Sequence, residues 1–412
     1  MQFGILSVGY DCFGIEGEFI QNPLLHLYHV YVRANEEFQK NENFIKSAKE
    51  RARILENRSH EKVLLQWQRF REYSVNQYKE VYERLGVKFD YIHGESMYNQ
   101  AALEIIKKLE ELGLTEATSE GAILTKRKVN GEQTIPIVML SSEGTSLYIA
   151  RDVAAAIHRK QQFNFDRMFY VVDQEQTAHF VNLKYILRQM GYDWEKDLDH
   201  IKFGKVLGFS TRKGNVVFLD DIINEAKDRV LEYMKQTNTT KGSEENYKEN
   251  AEILGVSSVI VNDLLRKRGT NYQFKWERAI SLSGDSGIAL QYSHARLHNL
   301  EKNSGINDCL SCNINFKAID DPKAFQLLLC LSQFDECLLM TCSSLEPKEI
   351  PINAIKPDLL LQRSHINQAY LALKVNDEPA STAETRLVMF VAARSVLNEG
   401  MKLIGLKPLE KF

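Results

Sequence analysis

Residues Gly208-Phe209-Ser210-Thr211-Arg212-Lys213-Gly214 set two hydroxyls and two adjacent cations between glycines. A mostly apolar run, Phe203 to Leu207, leads into them, and Val216-Val217-Phe218-Leu219-Asp220-Asp221 opens a long helical pattern behind them. A strand-to-helix loop of this make-up suits a mobile clamp for phosphate oxygens. Backbone N–H groups and cations together stabilise the charge that develops in phosphoryl or adenylyl chemistry. Taken alone, the same residues equally describe a basic, glycine-bounded surface turn.

A second constellation lies upstream. Tyr148 falls at a strand end, Asp152 one helical turn later, and Gln176 after the next strand. An aromatic ring, a carboxylate and an amide converging on one spot suit a planar cationic side chain. The carboxylate takes a guanidinium through paired charge-assisted hydrogen bonds, and the ring takes it by its face. On spacing alone, Asp152 also reads as a helix cap and Tyr148 as core. The turn Asp173-Gln174-Glu175-Gln176-Thr177-Ala178-His179 follows an almost wholly apolar strand, a place where α/β enzymes put function. Within it His179 reads as a helix-start histidine, with contact to a nucleotide as the other reading.

These residues need elements to position them. Residues from about 22 to 112 show helical apolar spacing, with Pro23 near the start and Gly113 near the end. Phe89 to Ser96 reads as a short strand and turn among these helices. From about 117 to 150 the pattern shifts to β-like runs: Gly121 to Leu124, Thr134 to Leu140, and Ser146 to Ile149. Asn130-Gly131 is a hairpin signal between the first two. A helix (Arg151 to Gln162), a buried strand (Arg167 to Val172) and a second helix (Thr177 to Met190) follow. Strands alternating with helices imply an α/β fold with a parallel sheet, whose ligands sit beyond the carboxyl ends of its strands. The polar stretch Thr237 to Asn250 reads as a linker or surface insert. Beyond Gly284 the pattern is that of an all-α helical bundle.

Composition bounds the possibilities. A chain of 412 residues is long for one core, and 44% hydrophobic with 26% charged residues is the balance of a soluble globular protein. No run of about 18 apolar residues occurs, so no spanning helix and no membrane partner are expected. With a formal charge of −3, a polyanion must be met by local patches such as Lys126-Arg127-Lys128, Arg212-Lys213 and Arg266-Lys267-Arg268. Each of these patches also reads as a solvated face. The 6 cysteines make no disulfide framework, which points to a reducing compartment. Cys309 and Cys312 have metal-ligand spacing but lack a second pair, so no metal is expected; Cys330, Cys337 and Cys342 read as core.

Several of these segments, in this order, resemble arginyl-tRNA synthetases. Leu147-Tyr148-Ile149-Ala150-Arg151-Asp152-Val153-Ala154-Ala155-Ala156 is similar to that family's arginine-binding segment. Gly208 to Gly214 resembles its version of the class I KMSKS loop, with Phe209 where Met is usual. Phe89-Asp90 with Gly94-Glu95-Ser96, Gln291-Tyr292-x-His294-Ala295-Arg296, and Leu403-Ile404-Gly405-Leu406-Lys407-Pro408-Leu409 also match family segments. The resemblance covers essentially the whole chain and is strongest to the animal mitochondrial form, which implies the mitochondrial matrix, with the cytoplasm as the alternative.

The resemblance implies a Rossmann-like catalytic domain over residues 1–240, incomplete at its start, with a helical insertion at about 22–115 and the signature loop at 208–214. A helical connector (241–284) and an α-helical anticodon-binding domain (285–412) would follow. Tyr148, Asp152 and Gln176 would recognise the arginine side chain. Ser210, Thr211, Arg212 and Lys213 would be catalytic on the ATP phosphates, with Gly208, Phe209 and His179 also at ATP. Gln291, Tyr292 and Arg296 would lie close to tRNA. The implied reaction joins arginine to ATP as arginyl-adenylate and passes the arginyl group to tRNA(Arg). ATP, with Mg2+ as counter-ion, is a substrate; no bound cofactor is implied, and a monomer is the expected state.

One family signature, the HIGH motif, is missing from these residues; His93-Gly94 and His158 have the wrong neighbours. The expectation is therefore a fragment, a truncated gene model or a short isoform, inactive alone. A non-catalytic tRNA-binding protein derived from a synthetase is the alternative. A cysteinyl-type synthetase shares the helical domain but would want a zinc site, which a lone Cys309/Cys312 pair does not provide.

Overall fold

The computed structural model describes residues 1–129, 133–208, 218–237, 244–281, 285–306, 314–346 and 359–411. The chain divides into two units, Met1–Tyr82 with Lys88–Ile201, and Glu83–Val87 with Lys202–Phe412.

The first unit opens on helices. α1 (Gln2–Phe13), α2 (Glu16–Gln21), α3 (Pro23–Lys40), α4 (Glu42–Asn57) and α5 (Glu61–Arg84) precede α6 (Asn99–Glu111). Starts are set by local chemistry: the Asn22 side chain accepts from Leu25 N with Pro23 behind it, and Asn41 accepts from Asn43 N and Phe44 N. Leu27, Val30 and Ala34 then bury one stripe of α3. β1 (Glu116–Ala117), β2 (Ile123–Val129) and β3 (Gln133–Leu140) form an antiparallel sheet. Val129 pairs with Gln133, as the hairpin reading requires; Asn130-Gly131 themselves lie outside the described residues.

α7 (Tyr148–Phe163), β4 (Met168–Asp173), α8 (Thr177–Gln189) and β5 (Leu198–Phe203) complete the unit, with β4 beside β5. Leu109, Met139, Val153, Leu183, Leu187 and Leu198 form the core that α6, α7, α8 and these strands share. Burial of such aliphatic side chains is worth about 1.5–3 kcal/mol each and fixes how α7 and α8 lie together. That is the frame for the site below.

In the second unit β6 (Val206–Leu207) pairs in parallel with β7 (Tyr272–Gln273). α9 (Leu219–Thr237), α10 (Glu244–Leu264) and α11 (Trp276–Ala279) surround this ladder. α12 (Gly287–Asn303), α13 (Pro322–Ser332), α14 (Phe334–Ser344), α15 (Leu359–Ala372) and α16 (Ala380–Leu403) make the helical bundle that the sequence implied. Leu290, Leu297, Leu327, Ile366, Phe390 and Leu397 are at its centre. No single helix among the described residues is long and apolar enough to cross a membrane.

Four local readings are corrected. Phe89 to Ser96 forms no strand: Phe89 packs on Tyr82 and Tyr91 on Phe163, with ring centroids 4.9 and 4.8 Å apart, so side-chain packing replaces a ladder. Tyr148 opens α7 and does not end a strand, because extended backbone stops at Leu147, whose N–H bonds Met139 O at 2.9 Å. The polar stretch after Thr237 is helical from Glu244 onward, with Tyr247 half-buried against the cluster of Val230, Met234 and Leu254. Cys330 and Cys337 are buried as expected, but Cys342 is exposed. Cys309 and Cys312 lie outside the described residues.

Candidate active site

α7 and α8 bring three of the expected residues together in the first unit. His179 Nε2 lies 2.7 Å from Asp152 Oδ2; a carboxylate only accepts, so the imidazole donates. The Tyr148 ring lies over the same imidazole, with centroids 4.8 Å apart and planes 34° apart. Burial grades outward: the His179 side chain is 7% exposed, Asp152 37%, and Tyr148 54% as a residue. Among the described residues no lysine or arginine pairs with Asp152. A partly exposed carboxylate with an exposed aromatic ring nearby has the chemistry to take a cation.

Gln176 is exposed at the start of α8, in a short 3-10 turn after β4. Asp173 anchors that turn by accepting from Glu175 N at 2.8 Å. Behind the pair, Phe180 packs on Tyr170 and on His200, with centroids 4.8 and 4.4 Å apart. Burial pushes the Tyr170 hydroxyl up to about 12 against the pull of Arg159, and Asp152 adds to the rise.

Arg151, next to Asp152, faces a different network. It donates to Ser146 O at 2.6 Å and to Glu95 Oε2 at 3.0 Å, which ties the Gly94-Glu95-Ser96 segment to the start of α7. The bond between Asp152 and His179 is the main relationship that sequence reading missed. Two residues 27 apart on different helices give no periodic signal, although both stood in segments already singled out.

In the second unit, Gly208 ends β6 with φ +74°, and a Cβ there would lie 2.4 Å from the Gln273 side-chain amide. The positive φ favours glycine at this position. Phe209, Ser210, Thr211, Arg212 and Lys213 lie outside the described residues.

The expected basic patches are partly consumed internally. Lys126 pairs with Glu116, Arg266 lies 4.0 Å over the Tyr272 ring, and Arg268 donates to Lys202 O.

Gln291 is fully buried, and its amide bonds Ser257 Oγ, Lys407 O and Leu409 N, which ties α12 to the segment after α16. Tyr292, 48% exposed, and Arg296, which lies 3.7 Å over the Tyr370 ring, line a cavity with Asn299 and Asn376.

Residues 1–276 match the family described as tRNA synthetases class I (R), catalytic domain, and residues 290–412 match the DALR anticodon binding domain. Fold and sequence together define a class I aminoacyl-tRNA synthetase catalytic domain followed by a helical anticodon-binding domain. Among relatives, the probable mitochondrial arginine–tRNA ligase of Mus musculus is 40% identical over 413 residues, covering 99% of this chain and 69% of the relative. The cytoplasmic arginine–tRNA ligase of Saccharomyces cerevisiae is 38% identical, covering 100% of this chain and 68% of its own length. The chain belongs to the arginyl-tRNA synthetase family, a family of ligases. The Thermus thermophilus arginyl-tRNA synthetase structure shares the fold, with a TM-score of 0.81 at 18% identity over 100% of this chain and 74% of that one.

Proposed function

We propose that this chain seats arginine by its guanidinium at Asp152, against the face of Tyr148 and within reach of Gln176. The observation that carries this reading is the partly open Asp152 carboxylate, held by His179 whose ring also meets the exposed Tyr148, with no lysine or arginine of the chain paired to it among the described residues. The reaction is the ATP-dependent formation of arginyl-adenylate, with release of pyrophosphate and transfer of the arginyl group to tRNA(Arg). ATP is a substrate and Mg2+ enters with it as counter-ion.

Little acid–base chemistry is required; positioning and charge stabilisation at the phosphates supply most of the rate. Ser210, Thr211, Arg212 and Lys213 act on those phosphates, with Gly208 as the fixed end of their loop. His179 stands near enough to the arginine seat to border the nucleotide. Tyr292 and Arg296 meet tRNA: an exposed ring and a guanidinium at the rim of a cavity suit an unstacked base and its phosphate. The mitochondrial relatives support a mitochondrial location.

The test is a thermal-shift panel of the twenty amino acids against the 412-residue chain. Arginine alone stabilises the chain in proportion to its concentration. Stabilisation by a different amino acid, with none by arginine, would overturn the reading.

A further inference from the structure

Asp152 and Tyr148 share one support. His179 sits at the start of α8, its side chain 7% exposed, with Nε2 on Asp152 Oδ2 at 2.7 Å and its ring 4.8 Å from that of Tyr148. Phe180, the next residue, packs edge-on to the same imidazole at 5.2 Å and is itself buried. The imidazole therefore has little freedom to turn. Nε2 donates to Asp152 whether or not the ring carries a second proton.

A carboxylate on a short side chain has two ways to face a guest. Unrestrained, it rotates about its last bond and presents either oxygen. With Oδ2 held, Oδ1 and the second lone pair of Oδ2 keep a fixed direction. A planar guanidinium, whose donors form a rigid fork, gains from a fixed carboxylate more than a freely rotating donor does.

From this geometry we propose that His179 is a positioning residue for the side-chain pocket. It fixes the Asp152 carboxylate through Nε2–H and the Tyr148 ring by contact, and so sets the preference of this site for a guanidinium over its neutral urea isostere. The proposal rests on the reading that Asp152 and Tyr148 seat arginine.

The test is calorimetric titration of the 412-residue chain with arginine and with citrulline, which replaces one guanidinium nitrogen by oxygen. His179→Phe keeps an aromatic ring against Tyr148 and removes the donor. It lowers arginine affinity about tenfold or more, the worth of a hydrogen bond to a charged group, and narrows the arginine-to-citrulline ratio. His179→Gln, which keeps an N–H donor, recovers much of that ratio. A purely structural histidine predicts the reverse pattern: stability falls in both variants and the ratio stays.

Asp152→Ala separates the two levels. If it abolishes arginine binding while His179→Phe leaves affinity and ratio within about twofold of the parent, a change worth under 0.5 kcal/mol, the positioning proposal fails and the pocket stands. If Asp152→Ala also leaves arginine binding unchanged, the pocket reading fails and this proposal with it. Should His179→Phe fold poorly, nitrogen NMR of the parent chain decides. The His179 Nε2 resonance moves on arginine addition, and an unmoved resonance at saturating arginine contradicts the proposal.

Discussion

Gln291 Oε1 accepts from Leu409 N at 2.8 Å while its Nε2 donates to Lys407 O at 2.9 Å. Two segments that the sequence marked separately, one at the start of α12 and one following α16, are thus a single hydrogen-bonded unit. His294 adds to it, its Nδ1 2.7 Å from Leu409 O, and burial lowers the His294 pKa despite that bond.

Gln291→Leu therefore acts on stability. It leaves Leu409 N–H and Lys407 C=O without partners in a dry interior, at a cost of about 2–4 kcal/mol. Urea unfolding of the variant shows a lower midpoint. An unchanged midpoint would mean that the amide is dispensable to the bundle.

Tyr292→Ala, one residue on, has the opposite profile. Its ring is 48% exposed at the rim of the cavity, so stability changes by less than about 1 kcal/mol. Filter binding with tRNA(Arg) shows weaker retention, by about the 1–3 kcal/mol of one stacked base. Retention equal to the parent chain removes Tyr292 from the tRNA surface.

Within the second unit, Arg84 pairs with Asp220 of α9 and, at 2.8 Å, with Glu252 of α10. Burial pushes the Glu252 carboxyl up, but the bonds from Arg84 and Lys227 outweigh it and hold its pKa below the ordinary value. A depressed carboxylate contributes stability above its unfolded pKa and loses it as pH falls through the folded one. Arg84→Met costs about 1–3 kcal/mol at pH 7, and the gap to the parent chain narrows as pH drops below about 4.5. Thermal melts from pH 7 to pH 3.5 read this directly. A gap that stays constant with pH would remove the ionic account.

Gly287 begins α12 where a Cβ would lie 2.1 Å from Ser257 O of α10. Gly287→Ala has to push two core helices apart, a loss of about 1–3 kcal/mol despite the better helix propensity of alanine. Calorimetric melting lower than the parent is the expected result, and equal melting would show that the helices part freely.

The helical pattern of residues 22 to 112, the hairpin and the bundle were legible because apolar spacing and turn chemistry are local signals. The order of family segments pointed to Tyr148 and Asp152 without geometry. Burial of Gln291 was not legible: its neighbours Tyr292 and Arg296 look alike in polarity, and only the packing of residues 403–409 separates them. The His179 bond to Asp152 was equally hidden, since it depends on how α7 and α8 cross.

The central claim is that Asp152 reads the positive charge of arginine. Equilibrium dialysis of arginine against the parent chain and Asp152→Asn tests it, because the substitution keeps shape and removes charge. The account predicts a loss of about 2–5 kcal/mol in arginine binding, as for a charged partner removed, and little change for citrulline. Equal arginine affinity in the two proteins would contradict it.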